Sequence, residues 1–254
     1  MYKLIQLILS YILLFCLFIF QLKADSTTNS VNPIQLKVVS PTRYQPFFIA
    51  GGLIGYGIAR QVIPGLQQLD RETKAYANRI YHRRTRMDDF MQYSPILAIY
   101  ALDITGLHAK HNIVERTQFL STAALLTLLS VHTLKSSAGV IRPDGSNSKS
   151  FPSGHTATAF LGAHMFFKEY KDENIWIASS GYLVAAGTGA LRIRNNKHWL
   201  SDVLAGAGFG ILSTELSYLL TPKIKTLLKS SNRHITVKPE ISNQNSLIKA
   251  SIHF

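Results

Sequence analysis

The chain has 254 residues, enough for one domain with a full core, and 46% of them are hydrophobic. Its formal charge of +13, from 27 Lys+Arg against 14 Asp+Glu, favours anionic partners: phosphate groups, anionic lipid or nucleic acid. A single cysteine, Cys16, excludes a disulfide framework, a CxxC redox pair and a thiolate metal site.

Residues 1–24 read as an export signal. Lys3 gives a short positive start, Leu4 to Leu22 is almost wholly apolar, and Lys23-Ala24 gives way to Asp25-Ser26-Thr27-Thr28. Cleavage after Ala24 is the leading reading, although Leu22 is large for the site. An uncleaved signal anchor is the alternative. Phe15 before Cys16 argues against a lipid-anchor cysteine. Loss of residues 1–24 removes Lys3 and Lys23 and no acid, leaving +11.

Residues 25–45 are Ser/Thr/Asn/Pro-rich and read as a linker. From Phe47 to Ile58 runs a Gly-rich apolar segment in which Gly51 and Gly55 have the spacing that lets two helices approach closely. A nucleotide-binding glycine loop is discounted there, because the spacing is wrong and no strand precedes it. Residues 60–92 are charged and partly helical, and Arg83-Arg84-Thr85-Arg86 is their densest basic run. No interleaved aromatic residues are present to stack bases. The run therefore reads as a basic rim near anionic lipid head groups, and no nucleic-acid partner is expected.

Apolar helices are expected at about 93–107, 118–134, 155–168, 175–191 and 202–220. His108 and His111 read as a connector rather than a metal pair, and His132 and His164 as packed core histidines. Gly206, Gly208 and Gly210 point to close helix packing. Past Pro222 the chain turns basic, and partial alternation around 234–237 and 246–254 fits a small β-hairpin or a loose tail. The expected organisation is 1–24 signal or anchor, 25–45 linker, 46–221 catalytic domain and 222–254 tail.

Three polar clusters lie between the apolar runs: Lys135 to Pro143, Phe151 to His155, and Arg192 to Asp202. A phosphoester hydrolase must bind an anion, stabilise the equatorial oxygens of the transition state, supply an in-line nucleophile and protonate the leaving oxygen. His198 and Asp202 are four apart and share one helix face, so the carboxylate can bond one ring nitrogen and leave the other as nucleophile. Ser153 can cap the next helix, whose free N–H groups form an anion site. Gly154 permits close backbone approach, and His155 stands ready to protonate the leaving group. Lys135, Arg142 and Arg192 complete a phosphate cradle. Taken singly, each of these is an ordinary helix start, surface ion pair or loop cation; a random basic loop would not also supply both histidines.

The pattern Lys135-x6-Arg142-Pro143, Pro152-Ser153-Gly154-His155, Arg192-x5-His198-x3-Asp202 resembles the tripartite signature of the type 2 phosphatidic acid phosphatase (PAP2) and vanadium haloperoxidase superfamily, over roughly residues 90–220. It is similar in particular to bacterial envelope lipid phosphatases. The resemblance implies an all-α helical bundle of about six core helices with a short, partly extended C-terminal tail. It implies His198 as nucleophile forming a phosphohistidine, Asp202 as its orienting partner and His155 as general acid. Lys135, Arg142, Ser153, Gly154 and Arg192 would hold the phosphate, with no metal and no cofactor. Leu191 stands where the family often has serine, and Trp199-Leu200 where Tyr-Pro is common.

The expected substrate is a phosphorylated lipid of the phosphatidate, lipid A or undecaprenyl diphosphate class, or a small phosphoester. Alternatives are a vanadium-dependent haloperoxidase, a non-specific periplasmic acid phosphatase and a non-catalytic protein that binds anionic lipid. The apolar segments after residue 45 are short for spans. The favoured placement is nonetheless an exported, membrane-associated envelope enzyme with its site facing the periplasm, which requires segment 47–58 not to cross.

Overall fold

The computed structural model describes residues 44–81, 84–231, 236–238 and 249–251. The expected signal and Cys16, and the linker up to residue 43, lie outside the described residues. Helix α1 is Gln45–Ala59, α2 Pro64–Ile80, α3 Met87–Met91 and α4 Ser94–Ala101, followed by a 3-10 turn, Leu102–Thr105. Then come α5 Ile113–Ser137, α6 Gly154–Tyr170, α7 Ile175–Arg194 and α8 Leu200–Ser231. The molecule is an all-α bundle. Its tail carries two short antiparallel strands, β1 Thr236–Lys238 and β2 Lys249–Ser251, which pair Val237 with Ala250.

Local chemistry sets the helix starts. Asn112 accepts from Glu115 N–H at the start of α5, and Asn174 accepts from Trp176 and Ile177 N–H at the start of α7. Prolines stand in the first turns of α1, α2 and α4, where a missing N–H is tolerated. The helix expected at 93–107 instead breaks after Ala101. Arg116 of α5 donates to the Ile99 carbonyl and to Asp103, drawing off acceptors at that end, and Gly106 closes the turn at φ 85°. Helix α8 runs through Pro222 to Ser231.

Helix α6 is the centre, packed on α7, α8, α5 and α4, while α1 lies along α8. Small residues let these helices meet. A β-carbon on Gly206 would stand 2.5 Å from the Ser153 carbonyl oxygen, one on Gly208 would stand 2.7 Å from that of Ala50, and one on Gly210 would collide with that of Ala157. The close packing expected of these three glycines is observed. The approach expected at Gly51 and Gly55 is not, since neither has an atom within 4 Å of such a carbon. The tight point on α1 is Gly57, which faces Ala205, Phe151 and the Ser201 carbonyl. His164 is buried as expected, between Tyr182 and Glu215, but His132 is exposed on the outer face of α5.

Helices α5 and α8 (over Leu200–Thr226) are long and apolar enough to cross a membrane. Leu125, Leu128 and Leu129 of α5 are each more than half exposed, giving that helix an apolar outer face. The protein is therefore membrane-associated. Helices α1 and α2 meet at 94°, and at 15 residues α1 rises only about 22 Å, short of a ~30 Å hydrocarbon core.

Candidate active site

The three polar clusters converge at one end of the bundle. The C-terminal ends of α5 and α7 bring Lys135 and Arg192; the N-terminal ends of α6 and α8 bring Ser153, Gly154, His155 and Asp202. This alternation puts cations where carbonyls accumulate and free N–H groups where an anion would rest. The connection 138–153 folds back on itself, with Arg142 N–H bonded to Asn147 and Ser150 N–H to Val140, so that Arg142 is carried over the site.

His198 is buried to 2% exposure at the floor. Its Nδ1–H donates to the Ser150 carbonyl at 2.8 Å, which leaves Nε2 as the nitrogen with a free lone pair. Asp202 lies alongside but does not make the direct bond expected of it: Oδ2 is 3.7 Å from Nδ1. That oxygen instead accepts from Ser150 Oγ at 2.5 Å and from Trp199 N–H at 2.9 Å. Ser150 thus bridges the pair, its carbonyl to the histidine and its hydroxyl to the acid. Burial holds the His198 pKa down to about 4. The Asp202 carboxylate opposes that shift, while Lys135 and Arg192 add to it, so the ring is neutral over most of the physiological range.

Arg192 is the electrostatic hub. Its charge bears on His198, on His155 and on Arg142, whose own pKa is lowered by burial and then by Arg192. Nη1 of Arg192 is held by Asp88 at 2.5 Å, while its Nε, like that of Arg142, is a buried donor without an acceptor among the described residues. Lys135 reaches the Lys149 carbonyl at 3.0 Å, and its side chain passes 3.9 Å from where a β-carbon on Gly154 would stand. Ser153 is fully buried. It caps α6 through Thr156, and its N–H donates to the Asp202 carbonyl, tying the α6 start to the α8 start.

His155 is half-buried, and its Nε2 lies 3.0 Å from Asp89 Oδ1. Burial and then Arg192 lower its pKa, against the pull of Asp89 and Asp88. Asp88, Asp89 and His155 offer donor atoms within 4.8 Å of one another, but the guanidinium already on Asp88 makes this a poor place for a cation.

All the residues expected from the sequence lie in this one region. Those missed are the ones that hold them. Asn195 clamps the chain before α3 by exchanging hydrogen bonds with Thr85 and donating to Asp88. Asp70 of α2 accepts from Ser201 N–H and Oγ and pairs with Arg60, anchoring the first turn of α8. Lys197 pairs with Asp144 and Lys74 donates to the Pro143 carbonyl, which fastens the Arg142 loop. Trp199, a departure from the family pattern, donates its indole N–H to Ile141 and lies near Arg60 and Lys74. Ser150 stands one residue before the Phe151-Pro152-Ser153-Gly154-His155 cluster, and Asp88-Asp89 is an acidic pair in an otherwise basic stretch.

Comparison with known proteins adds an independent line. Residues 117–225 match the family model of the PAP2 superfamily. The chain is 39% identical over 170 residues to the lipid A 1-phosphatase of Porphyromonas gingivalis, covering 66% of this chain and 38% of that protein. The chain thus spans well under half the length of that relative. Among solved structures, that of Aquifex aeolicus LpxE is 24% identical, covers 60% of this chain and 94% of the other, and has a TM-score of 0.43. That of the transmembrane PAP2-type phosphatidylglycerolphosphate phosphatase of Bacillus subtilis is 20% identical, covers 71% and 98%, and has a TM-score of 0.46.

Proposed function

We propose that the protein, whose residues 117–225 match the PAP2 superfamily model, is a phosphatase that removes phosphate from a phosphorylated lipid through a phosphohistidine on His198. One observation carries this reading. Two buried guanidinium Nε donors, on Arg142 and Arg192, have no acceptor among the described residues, beside a buried histidine whose Nδ1 is already committed. A phosphate group supplies oxygens to both donors and a phosphorus to the remaining nitrogen.

In the proposed reaction Arg142, Arg192, Lys135 and the N–H groups at the α6 start, including that of Gly154, hold the equatorial oxygens. Ser153 shapes that helix end. Nε2 of His198 forms the bond to phosphorus as the ester P–O bond breaks, and protonated His155 gives its proton to the leaving oxygen. The phosphorylated ring keeps its Nδ1–H on the Ser150 carbonyl, and its positive charge is met by Asp202. Water, giving its proton to His155, then cleaves the P–N bond and releases phosphate. No metal ion is needed in this scheme.

The membrane association and the lipid A 1-phosphatase relative support a lipid substrate, and a 1-phosphorylated lipid A is the first to try. Export of the chain and a periplasm-facing site remain part of this proposal. The test is phosphate release from lipid A, phosphatidate and undecaprenyl diphosphate in detergent without added metal. His198→Ala is expected to lower release by at least about a thousandfold, with a 32P-labelled, acid-labile, base-stable protein adduct in the wild type alone. Full activity in the His198 variant would refute the assignment.

A further inference from the structure

The acidic pair at the start of α3 is divided between two groups of the site. Asp88 is buried and grips Arg192 and Asn195. Asp89, on the next residue, is half exposed and sends Oδ1 to within 3.0 Å of His155 Nε2. The backbone that carries both is fixed through Asn195, which lies at the C-terminal end of α7 three residues after Arg192. A carboxylate at this distance is therefore a built partner of the ring and not a passing surface contact. It comes from a segment outside all the motif clusters.

We infer that Asp89 is a positioning residue for the acid step: it takes the Nε2–H of His155 and leaves Nδ1 as the nitrogen that exchanges a proton with the leaving oxygen. This rests on the phosphatase reading above. Neutral His155 with its proton on Nε2 has a lone pair on Nδ1; the charged ring carries a proton on each nitrogen and can give up the Nδ1 proton while remaining bonded to Asp89. Asp89 thus fixes which nitrogen works and favours the charged, proton-donating form. The groups bearing on the ring are Asp88 and Asp89 from α3 and Arg192 from α7, while Lys135 of α5 and Asp202 of α8 bear on His198. Burial and Arg192 disfavour the charged ring, and Asp89 is the hydrogen-bonded group that counters them.

A general acid matters in proportion to how poor the leaving group is. Asp89→Asn, Asp89→Glu and His155→Ala should therefore be compared with wild type on decyl phosphate, which leaves as a basic alkoxide, and on p-nitrophenyl phosphate, whose leaving phenolate needs no proton. Asp89→Asn is expected to lose about ten- to a hundredfold in kcat on decyl phosphate and less than about threefold on p-nitrophenyl phosphate, with Asp89→Glu recovering most of the loss. The ratio of the two rates within one variant does not depend on how much of it is folded. Losing the carboxylate lowers the His155 pKa, so the alkaline limb of the kcat profile on decyl phosphate should move down by about one pH unit or more. An Asp89→Asn variant that loses equally on both substrates, or keeps its alkaline limb, overturns the inference while His155→Ala still shows the leaving-group dependence. Wild-type protein that turns over neither substrate, or the lipids above, removes the phosphatase reading and this inference together.

Discussion

Asp202 stands 3.7 Å from the imidazole it was expected to hold, and the proton between them goes to a backbone carbonyl instead. That separates two jobs usually given to one acid. The tautomer of His198 is set by Ser150, and the charge that develops on the ring is met by Asp202. A directly bonded triad aspartate costs about ten-thousandfold when changed to asparagine, because the tautomer is lost with it. Asp202→Asn here should keep the tautomer and lose only the charge, so kcat is expected to fall by about a hundredfold, or about 2.7 kcal/mol. Steady-state rates on a lipid substrate check this, and a loss as large as that of His198→Ala would show that the carboxylate does more. The residues that touch the proposed phosphate were legible because order and spacing carry them. Ser150, Asp88, Asp89, Asn195 and Asp70 were not, since each acts by meeting a residue distant in sequence and none has a local signature. Serine and asparagine in loops are too common to mark a bridge, and an aspartate pair in a basic stretch reads as surface relief.

At the scale of the helix, the site depends on how closely α8 can slide along α6. Gly206 faces the Ser153 carbonyl, and no flexible side chain lies between to yield, so Gly206→Ala must push the α8 start away from the Ser153 turn. The expected cost is about 1–3 kcal/mol of stability, together with weakening of the Ser153 N–H to Asp202 carbonyl bond that links the two starts. Thermal unfolding in detergent and activity at a permissive temperature would separate the two effects. Helix positions were readable from the apolar runs, within a few residues at most ends. What failed was the choice of inward face on α1. A spacing of four says that two glycines share a side, not that the side is buried, and the burial in fact falls on Gly57. The helix at 93–107 broke because Arg116, on another helix, competes for its carbonyl, and nothing within that stretch reveals it.

For the whole molecule, the neutral buried state of His198 ties stability to pH. Its folded pKa near 4 lies below the ordinary histidine value of 6.5, so the unfolded chain binds more protons between those values. The His198 contribution to stability is complete above about 6.5 and is lost as the pH falls toward about 4. Urea or thermal unfolding across that window should show wild type losing stability on acidification more steeply than His198→Asn. A similar slope in both would mean the ring is not buried neutral. The apolar outer face of α5 leads to a second expectation at this scale. The protein should stay with the membrane through alkaline carbonate washing, and appearance in the supernatant would place it as a peripheral protein. With Cys16 replaced by serine, single cysteines at Lys110 and Ser146, which flank α5 in sequence, are expected to label from opposite sides if α5 crosses the bilayer.

The carbonyl of Ser150 belongs to the main chain, and every residue type supplies one. No single substitution at position 150 can delete the acceptor that aligns the proposed nucleophile; it can only remove the hydroxyl that reaches Asp202. The ring's orientation is thus shielded from most point changes that would disarm a side-chain-held histidine. The vulnerable element is the path of the loop itself, fastened at a distance by Lys74, Lys197 and Trp199. Loss of activity through random mutation should consequently appear at those fasteners more often than at the acceptor they serve.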